Sequence, residues 1–223
     1  MAQKKATSTA ALVNVAANVF LEKGFATSTI DDVARAAGIS KPTVYQYVSN
    51  KQWLLEEVVR VMCGKMEQLQ VDLYAEPVPP IVRLHWSLEL HVELAIVYRN
   101  SYRLTLSEQT ALSPAAREEF RLWARRTTTR FAELLTECQQ EGSFTWDGDT
   151  MVAANLILSM LTGTHRWAHP HEGETVAEYS HSLAEQIRVL LAGVIAEADM
   201  SDWPRSVVSH AASQPAAAHS VGA

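Results

Sequence analysis

Residues 29 to 48 read Thr29-Ile30-Asp31-Asp32-Val33-Ala34-Arg35-Ala36-Ala37-Gly38-Ile39-Ser40-Lys41-Pro42-Thr43-Val44-Tyr45-Gln46-Tyr47-Val48. A hydroxyl followed by two acids predicts a helix capped by Thr29, with Asp31 and Asp32 in its first turn and a stop at Gly38. Ser40 caps a second helix whose first turn holds Lys41 and Pro42, where proline is tolerated because those amides have no intrahelical acceptor. Small Ala34, a glycine able to take positive φ, and β-branched Val44 ten residues after Ala34 suit two helices that cross closely at a sharp angle. The pattern predicts a helix-turn-helix; an ordinary αα-corner meets the same requirements.

Upstream, Leu12, Val15, Ala16, Val19 and Phe20 form one helical stripe, predicting a helix over about 8 to 23 that stops at Gly24. Downstream, Ser49-Asn50-Lys51-Gln52 reads as a capping box opening a longer helix with Trp53, Leu54, Val58, Val59 and Met62. Pro77, Pro79 and Pro80 end it and open a fifth helix on Ile81, Leu84, Leu88, Leu90, Leu94 and Val97, reaching about Asn100. Ser113-Pro114 starts a helix that runs to Glu141-Gly142. Asp149 starts another, apolar nearly all round from Met151 to Leu161, the pattern of a buried helix. Leu183, Ile187, Leu190, Leu191, Val194 and Ile195 make the last stripe. With no convincing strand alternation and no repeat, the fold class is all-α. The expected organisation is a three-helix domain over 1–54, a larger helical domain over 55–203, and a disordered Ala/Ser/His/Pro-rich tail over 204–223.

The chain has 223 residues, 48% hydrophobic and 20% charged, enough for a real core. Its two cysteines, Cys63 and Cys138, have no metal-ligand spacing, so neither a disulfide nor a zinc site is expected, and a cytoplasmic setting fits. No run approaches the ~20 apolar residues of a membrane span, and the start, Met1-Ala2-Gln3-Lys4-Lys5, lacks a signal core; no membrane role is expected. Charge is uneven. Residues 1 to 51 hold six Lys/Arg against three acids, +3, while the other 13 bases and 22 acids give −9. A polyanion partner at the N-terminal end is the implication.

Ala16-x-x-Val19-Phe20-x-x-Lys23-Gly24-Phe25, then Thr29-Ile30-x-x-Val33-Ala34-x-x-Ala37-Gly38-Ile39-Ser40-x-x-Thr43-Val44-Tyr45-x-Tyr47-Val48-x-x-Lys51, closely resembles the DNA-binding domain of TetR-family transcriptional regulators over about 45 ordered, gap-free residues. Val48 stands where phenylalanine is usual, and Trp53 where leucine is common. The recognition helix of such a motif enters the major groove by its N-terminal end, so Lys41, Pro42, Thr43 and Gln46 should face base edges. Gln46 suits adenine, Lys41 guanine O6/N7, and Thr43 or Pro42 a thymine methyl. The resemblance implies phosphate contacts for Thr29, Tyr45, Tyr47 and Lys51, with Ser40 on the same hydroxyl-rich surface. Core packing is the other reading of Tyr47, and a solvated helix start that of Lys51.

The resemblance further implies a helical effector-binding domain, a homodimer on a roughly palindromic double-stranded operator, and repression as the common mode. Glu141-Gly142-Ser143-Phe144, Trp167-x-x-Pro170 and the stretch from Ala177 to Val194 resemble members that control lipid and steroid catabolism through CoA thioesters. In the helix from 114, Phe120, Trp123, Ala124, Thr127, Phe131, Leu134 and Cys138 share one face, with Arg130 at its shoulder and Arg121 and Arg125 outward. Trp86, Leu90, Trp123, Thr127 and Trp167 are candidate lining of an apolar effector pocket, and Arg130 a candidate partner for an acidic ligand. Ordinary core is the alternative for the aromatics, and pairing with Glu133, Glu137 or an acid on another helix that for Arg130. The last two long helices suit a four-helix dimer interface.

His165, His169 and His171 have spacing for a metal, but Pro170 argues against a helix through them, and no metal or cofactor is expected. Phosphate loops, Gly-x-Ser-x-Gly and His-Glu-x-x-His are absent from the sequence, so an enzyme is not the expected reading. A helical ligand-binding protein without DNA binding is a further alternative, against which the Ser40 to Lys51 segment counts.

Overall fold

The computed structural model describes residues 8–196; the expected tail over 204–223 lies outside them. In chain order come α1 (Thr9–Lys23), α2 (Ile30–Ala37), α3 (Lys41–Val44), α4 (Lys51–Tyr74), α5 (Pro80–Val97), α6 (Arg99–Ser107), α7 (Pro114–Gln140), α8 (Thr150–Gly163) and α9 (Val176–Leu191). Single 3-10 turns span Gln109–Ala111 and Thr164–Arg166. Among the described residues there is no strand, only an isolated antiparallel bridge between Phe144 and Ile195. The chain is all-α.

It divides into two compact units, the first holding the described residues up to Met62 with Asn100–Phe120, and the second Cys63–Arg99 with the described residues from Arg121 onward. This differs from a cut after residue 54. No linker marks that point, because α4 is one unbroken helix, and the chain returns to the first unit after α5. There, Asn100 Nδ2 donates to Asn18 Oδ1 at 3.1 Å, Gln52 Nε2 to the Ala111 carbonyl at 2.6 Å, and the Ser113 amide to Glu56 at 3.1 Å.

In the first unit the apolar stripe of α1 (Leu12, Ala16, Val19, Phe20) is buried, as are Ile30, Val33, Ala34 and Ala37 of α2, Val44 of α3, and Val48. Phe20 and Phe25 meet edge to face with centroids 5.1 Å apart. Gly38 closes α2 at φ +68°, which an L side chain takes only with strain, and its turn lets the Ile39 amide donate back to the Ala34 carbonyl at 3.1 Å. Asn50, not Ser49, caps α4: its Oδ1 accepts from the Trp53 amide at 2.7 Å, while Gln52 turns to Glu56 and Ala111.

In the second unit α5 is the central helix, with α8 and α9 packed against it. The sequence predicts one apolar stripe there, yet every residue from Leu84 to Ile96 is buried, His85, Glu89, His91 and Glu93 included. Periodicity reports one face of a helix and is blind to polar groups that find partners on the others. Leu84, Leu88, Val92 and Ile96 join Phe131, Leu135 and Cys138 of α7, Ala154, Ile157 and Leu161 of α8, and Leu183 and Ile187 of α9 in one core. The fifth helix ends at Val97 rather than near Asn100, and α6 follows as a separate short helix. Helix α8 also departs from expectation: Val152 and Leu156 are 51% and 59% exposed in the single chain, so it is not buried all round.

Candidate functional site

The loop between α2 and α3 and the start of α3 form a small, heavily braced surface. Thr29 Oγ1 accepts from the Asp32 amide, and the Asp32 carboxylate accepts from the Thr29 amide at 3.0 Å, closing a capping box. Hydrogen bonds from Lys23 and from Thr29 hold the Asp32 carboxyl down at about 2. At α3, Ser40 Oγ accepts from the Thr43 amide at 3.3 Å and lies 2.7 Å from Thr43 Oγ1. Buried Val44 and Val48 anchor this turn, which leaves Lys41, Pro42, Tyr45, Gln46 and Tyr47 exposed and Thr43 half-buried. The helix proper ends at Val44, and Tyr45 to Tyr47 continue as turns. At 37% exposure Tyr47 is not a core residue.

Each cation of this part of the chain, from Ser8 to Lys51, has a partner. Lys23 and Arg35 pair with Asp32, at 2.5 and 3.3 Å. Lys41 Nζ lies 2.9 Å from Asp31 Oδ2, and that hydrogen bond raises the lysine's pKa. Lys51 turns away from the surface: its ammonium donates to the carbonyls of Phe25, Ser28 and Ala26 at 2.5, 2.8 and 3.3 Å and sits 4.4 Å from the Phe25 ring centroid. Three donors are thereby committed to the loop between α1 and α2. That is neither the solvated helix start nor a free phosphate ligand.

The second unit carries a polar cluster in its interior. His91 Nδ1 is 2.7 Å from the Ser87 carbonyl, which can only accept, so that nitrogen bears the proton. His91 Nε2 then accepts from Gln70 Nε2 at 3.1 Å. Burial drives the imidazole pKa down to about 4, so the ring is uncharged at neutral pH. Ser87 Oγ also meets the Tyr74 hydroxyl at 3.1 Å, and burial pushes that phenol up to about 12. Phe131 stands edge-on to His91, centroids 5.8 Å apart. With its amide nitrogen committed to His91, Gln70 leaves Oε1 without a partner among the described residues, as is the Thr127 hydroxyl one turn before Phe131.

The candidate pocket residues divide. Trp86, Leu90, Trp123 and Thr127 are all buried in the second unit. Arg130 is bound to Glu67 of α4 at 3.2 Å, beside Arg126, whose hydrogen bond does most to lower the Glu67 pKa. This is the alternative of an acid on another helix. Trp167 is a correction: at 60% exposed it lies on the surface, because the turn Thr164–Arg166 ends α8 and buries Thr164 and His165 instead. His169 and His171 are exposed, and no three His, Cys, Asp or Glu among the described residues converge on a possible metal position. No described helix is long and apolar enough to cross a membrane.

Sequence reading missed Gln70, Tyr74, Ser87 and His91. The available signal was Ser87 and His91, four apart, inside an apolar helix. It also took Asp31 for a cap acid only.

A braced helix-turn-helix whose second helix offers its polar edge to solvent, followed by a larger helical unit, is the architecture of a DNA-binding regulator. Two family models match: residues 12–58 fit the bacterial regulatory proteins of the tetR family, and residues 77–193 the tetracyclin repressor-like C-terminal domain. The chain belongs to the TetR family of DNA-binding transcriptional regulators, which are not enzymes.

The HTH-type transcriptional repressor KstR2 of Rhodococcus jostii is 26% identical over 176 residues, covering 74% of this chain and 81% of that protein. Its namesake from Mycolicibacterium smegmatis is 25% identical over 169 residues, covering 71% and 78%. Among solved structures, the ketosteroid transcriptional regulator KstR2 of Mycobacterium tuberculosis superposes with a TM-score of 0.75 at 20% identity, covering 88% of this chain and all of that one. AibR in complex with isovaleryl coenzyme A and operator DNA gives 0.67 at 18% identity, covering 80% and 96%. At those identities the two structures speak to the fold.

Proposed function

We propose that this protein is a cytoplasmic homodimeric repressor that holds a two-fold-symmetric operator and lets it go when a small hydrophobic effector enters the second unit. The observation that carries the DNA half is the exposed start of α3 and the turn after it, with Lys41, Pro42 and Gln46 turned to solvent, Thr43 half-buried beside them, and the start fixed by Ser40. Thr29, Ser40, Tyr45 and Tyr47 then set register on phosphates, and Lys51 serves by bracing the loop behind them. One such helix reads too few base pairs for a unique site, which is why two copies, ~34 Å apart on successive turns of the groove, are needed. Selection of genomic fragments by the purified protein, followed by a gel shift, tests this; a protein that shifts no duplex in a sequence-dependent way overturns it. In that assay Gln46→Ala costs about 1–3 kcal/mol and relaxes preference at one base step per half-site. A uniform loss across all sequences would remove Gln46 from base readout.

For the effector we favour an acyl- or steroid-type CoA thioester. Support comes from the C-terminal resemblance, from the repressor relatives, and from an AibR structure whose ligand is isovaleryl coenzyme A. Trp86, Leu90, Trp123 and Thr127 supply apolar walls, and the partnerless Gln70 Oε1 and Thr127 hydroxyl supply polar contacts. The ligand must bind the released state better than the DNA-bound state, since equal affinity shifts nothing. Arg130 is the residue that would meet an acid, after exchanging Glu67 for it. Calorimetry with a panel of CoA esters and free acids then shows Arg130→Ala losing binding of the acidic ligand while affinity for DNA alone stays intact. Unchanged ligand binding in the variant excludes Arg130 from the site.

A further inference from the structure

The capping box of α2 needs one acid, and Asp32 supplies it, closing the box with Thr29. Asp31 is not part of that box. Its carboxylate reaches ten residues along the chain to the first residue of α3 and takes the Lys41 ammonium at 2.9 Å, with both side chains about half exposed. The pair therefore stands at the edge offered to DNA, where a carboxylate is the wrong charge for a phosphate backbone. Its effect on Lys41 is definite. In a head where Lys23 and Arg35 are already tied to Asp32 and Lys51 to backbone carbonyls, Asp31 takes the remaining cation between Ser8 and Lys51.

We propose that Asp31 is a specificity-determining positioning residue that withholds Lys41 from indiscriminate phosphate contact and releases it only to a groove edge that accepts well enough to replace a carboxylate. The proposal rests on the reading of Lys41 as a base-facing residue. An exposed ion pair is weak enough for the paired O6 and N7 acceptors of a guanine to replace it, whereas a phosphate offers Lys41 one anion in place of another and leaves Asp31 unpaired beside it. On the wrong sequence Lys41 stays with Asp31, neutralises no phosphate and releases no counterion. The price of discrimination is part of the non-specific affinity, which comes almost wholly from such neutralisation. Asp31 thus widens the gap between operator and bulk DNA without touching a base.

Asp31→Asn and Asp31→Ser are the variants, and a random-sequence duplex of about 30 bp, titrated over a range of salt, is the probe. Both variants are expected to bind it about fivefold more tightly near 0.1 M salt, with a log–log salt slope steeper by about 0.9 for each head. Affinity for duplexes selected by the wild-type protein rises less, so the specificity ratio falls. Adding Lys41→Met abolishes the gain in slope, an outcome that a merely structural role for Asp31 would not give. Unchanged affinity and slope in both variants overturn the proposal, as does a gain that persists in full without Lys41. Its failure is distinct from failure of the Lys41 reading, which shows as an unaltered selected sequence in the Lys41→Met single variant. Melting temperatures near wild type confirm that exposed Asp31 was replaced without loss of fold.

Discussion

Leu156→Glu combined with Leu190→Glu is expected to leave the single chain folded and to abolish tight operator binding. Val152 and Leu156 of α8 and Val189 and Leu190 of α9 are 51 to 76% exposed, and both helices pack on α5. Large aliphatic groups left to water on both helices suit cover by a second copy, as in the four-helix dimer interface proposed for α8 and α9. Because both leucines are already mostly in solvent, a carboxylate there costs the monomer little. In a four-helix interface the same carboxylates would be buried, at a cost of several kcal/mol. The dimer should therefore dissociate. Each head would then bind a half-site alone, without the effective concentration its twin provides, and apparent operator affinity should fall by about 10²- to 10⁴-fold. Sedimentation velocity and a gel shift measure the two effects, and circular dichroism checks that helix content is kept. A double variant that still sediments as a dimer would place the interface elsewhere.

What could be read from the sequence was whatever depends on local rules. Thr29, Ser40 and Gly38 act through their own backbone neighbours, so both caps and the turn of the helix-turn-helix were legible before any coordinates. Where two rules compete locally, legibility drops: Ser49 and Asn50 are both good caps, and the hydrogen bond went to Asn50. Long-range pairing was beyond reach. Nothing in the spacing of Lys51 announces that its ammonium closes over Phe25, Ala26 and Ser28, more than twenty residues earlier. Nor does a stripe on α5 reveal that Gln70 of α4 satisfies His91. Trp167 failed for a related reason: an aromatic residue reads as core, yet the 3-10 turn after α8 sets which side faces inward. The apolar run of α8 read as burial all round, yet Val152 and Leu156 are exposed, because apolar residue type alone does not say which side of a helix meets the core.

Lys51→Met separates the two roles that its position admits. Methionine keeps most of the aliphatic length and removes the charge, so the loop between α1 and α2 loses three charge-assisted hydrogen bonds and the cation over Phe25. Some of the freed carbonyls regain water, which limits the loss to about 2–3 kcal/mol. For a unit of this size that is a fall in melting temperature of roughly 10 °C or more. Thr29 begins one residue after Ser28, so loosening this loop also loosens the cap that fixes α2 under the recognition helix. Affinity should drop for every duplex alike, while the salt slope holds, because an ammonium already spent on carbonyls neutralises no phosphate. Thermal melts and salt titrations on the same preparation decide the matter. A melting temperature equal to wild type together with a slope shallower by about 0.9 per head would return Lys51 to the phosphate backbone, and the bracing role would be wrong.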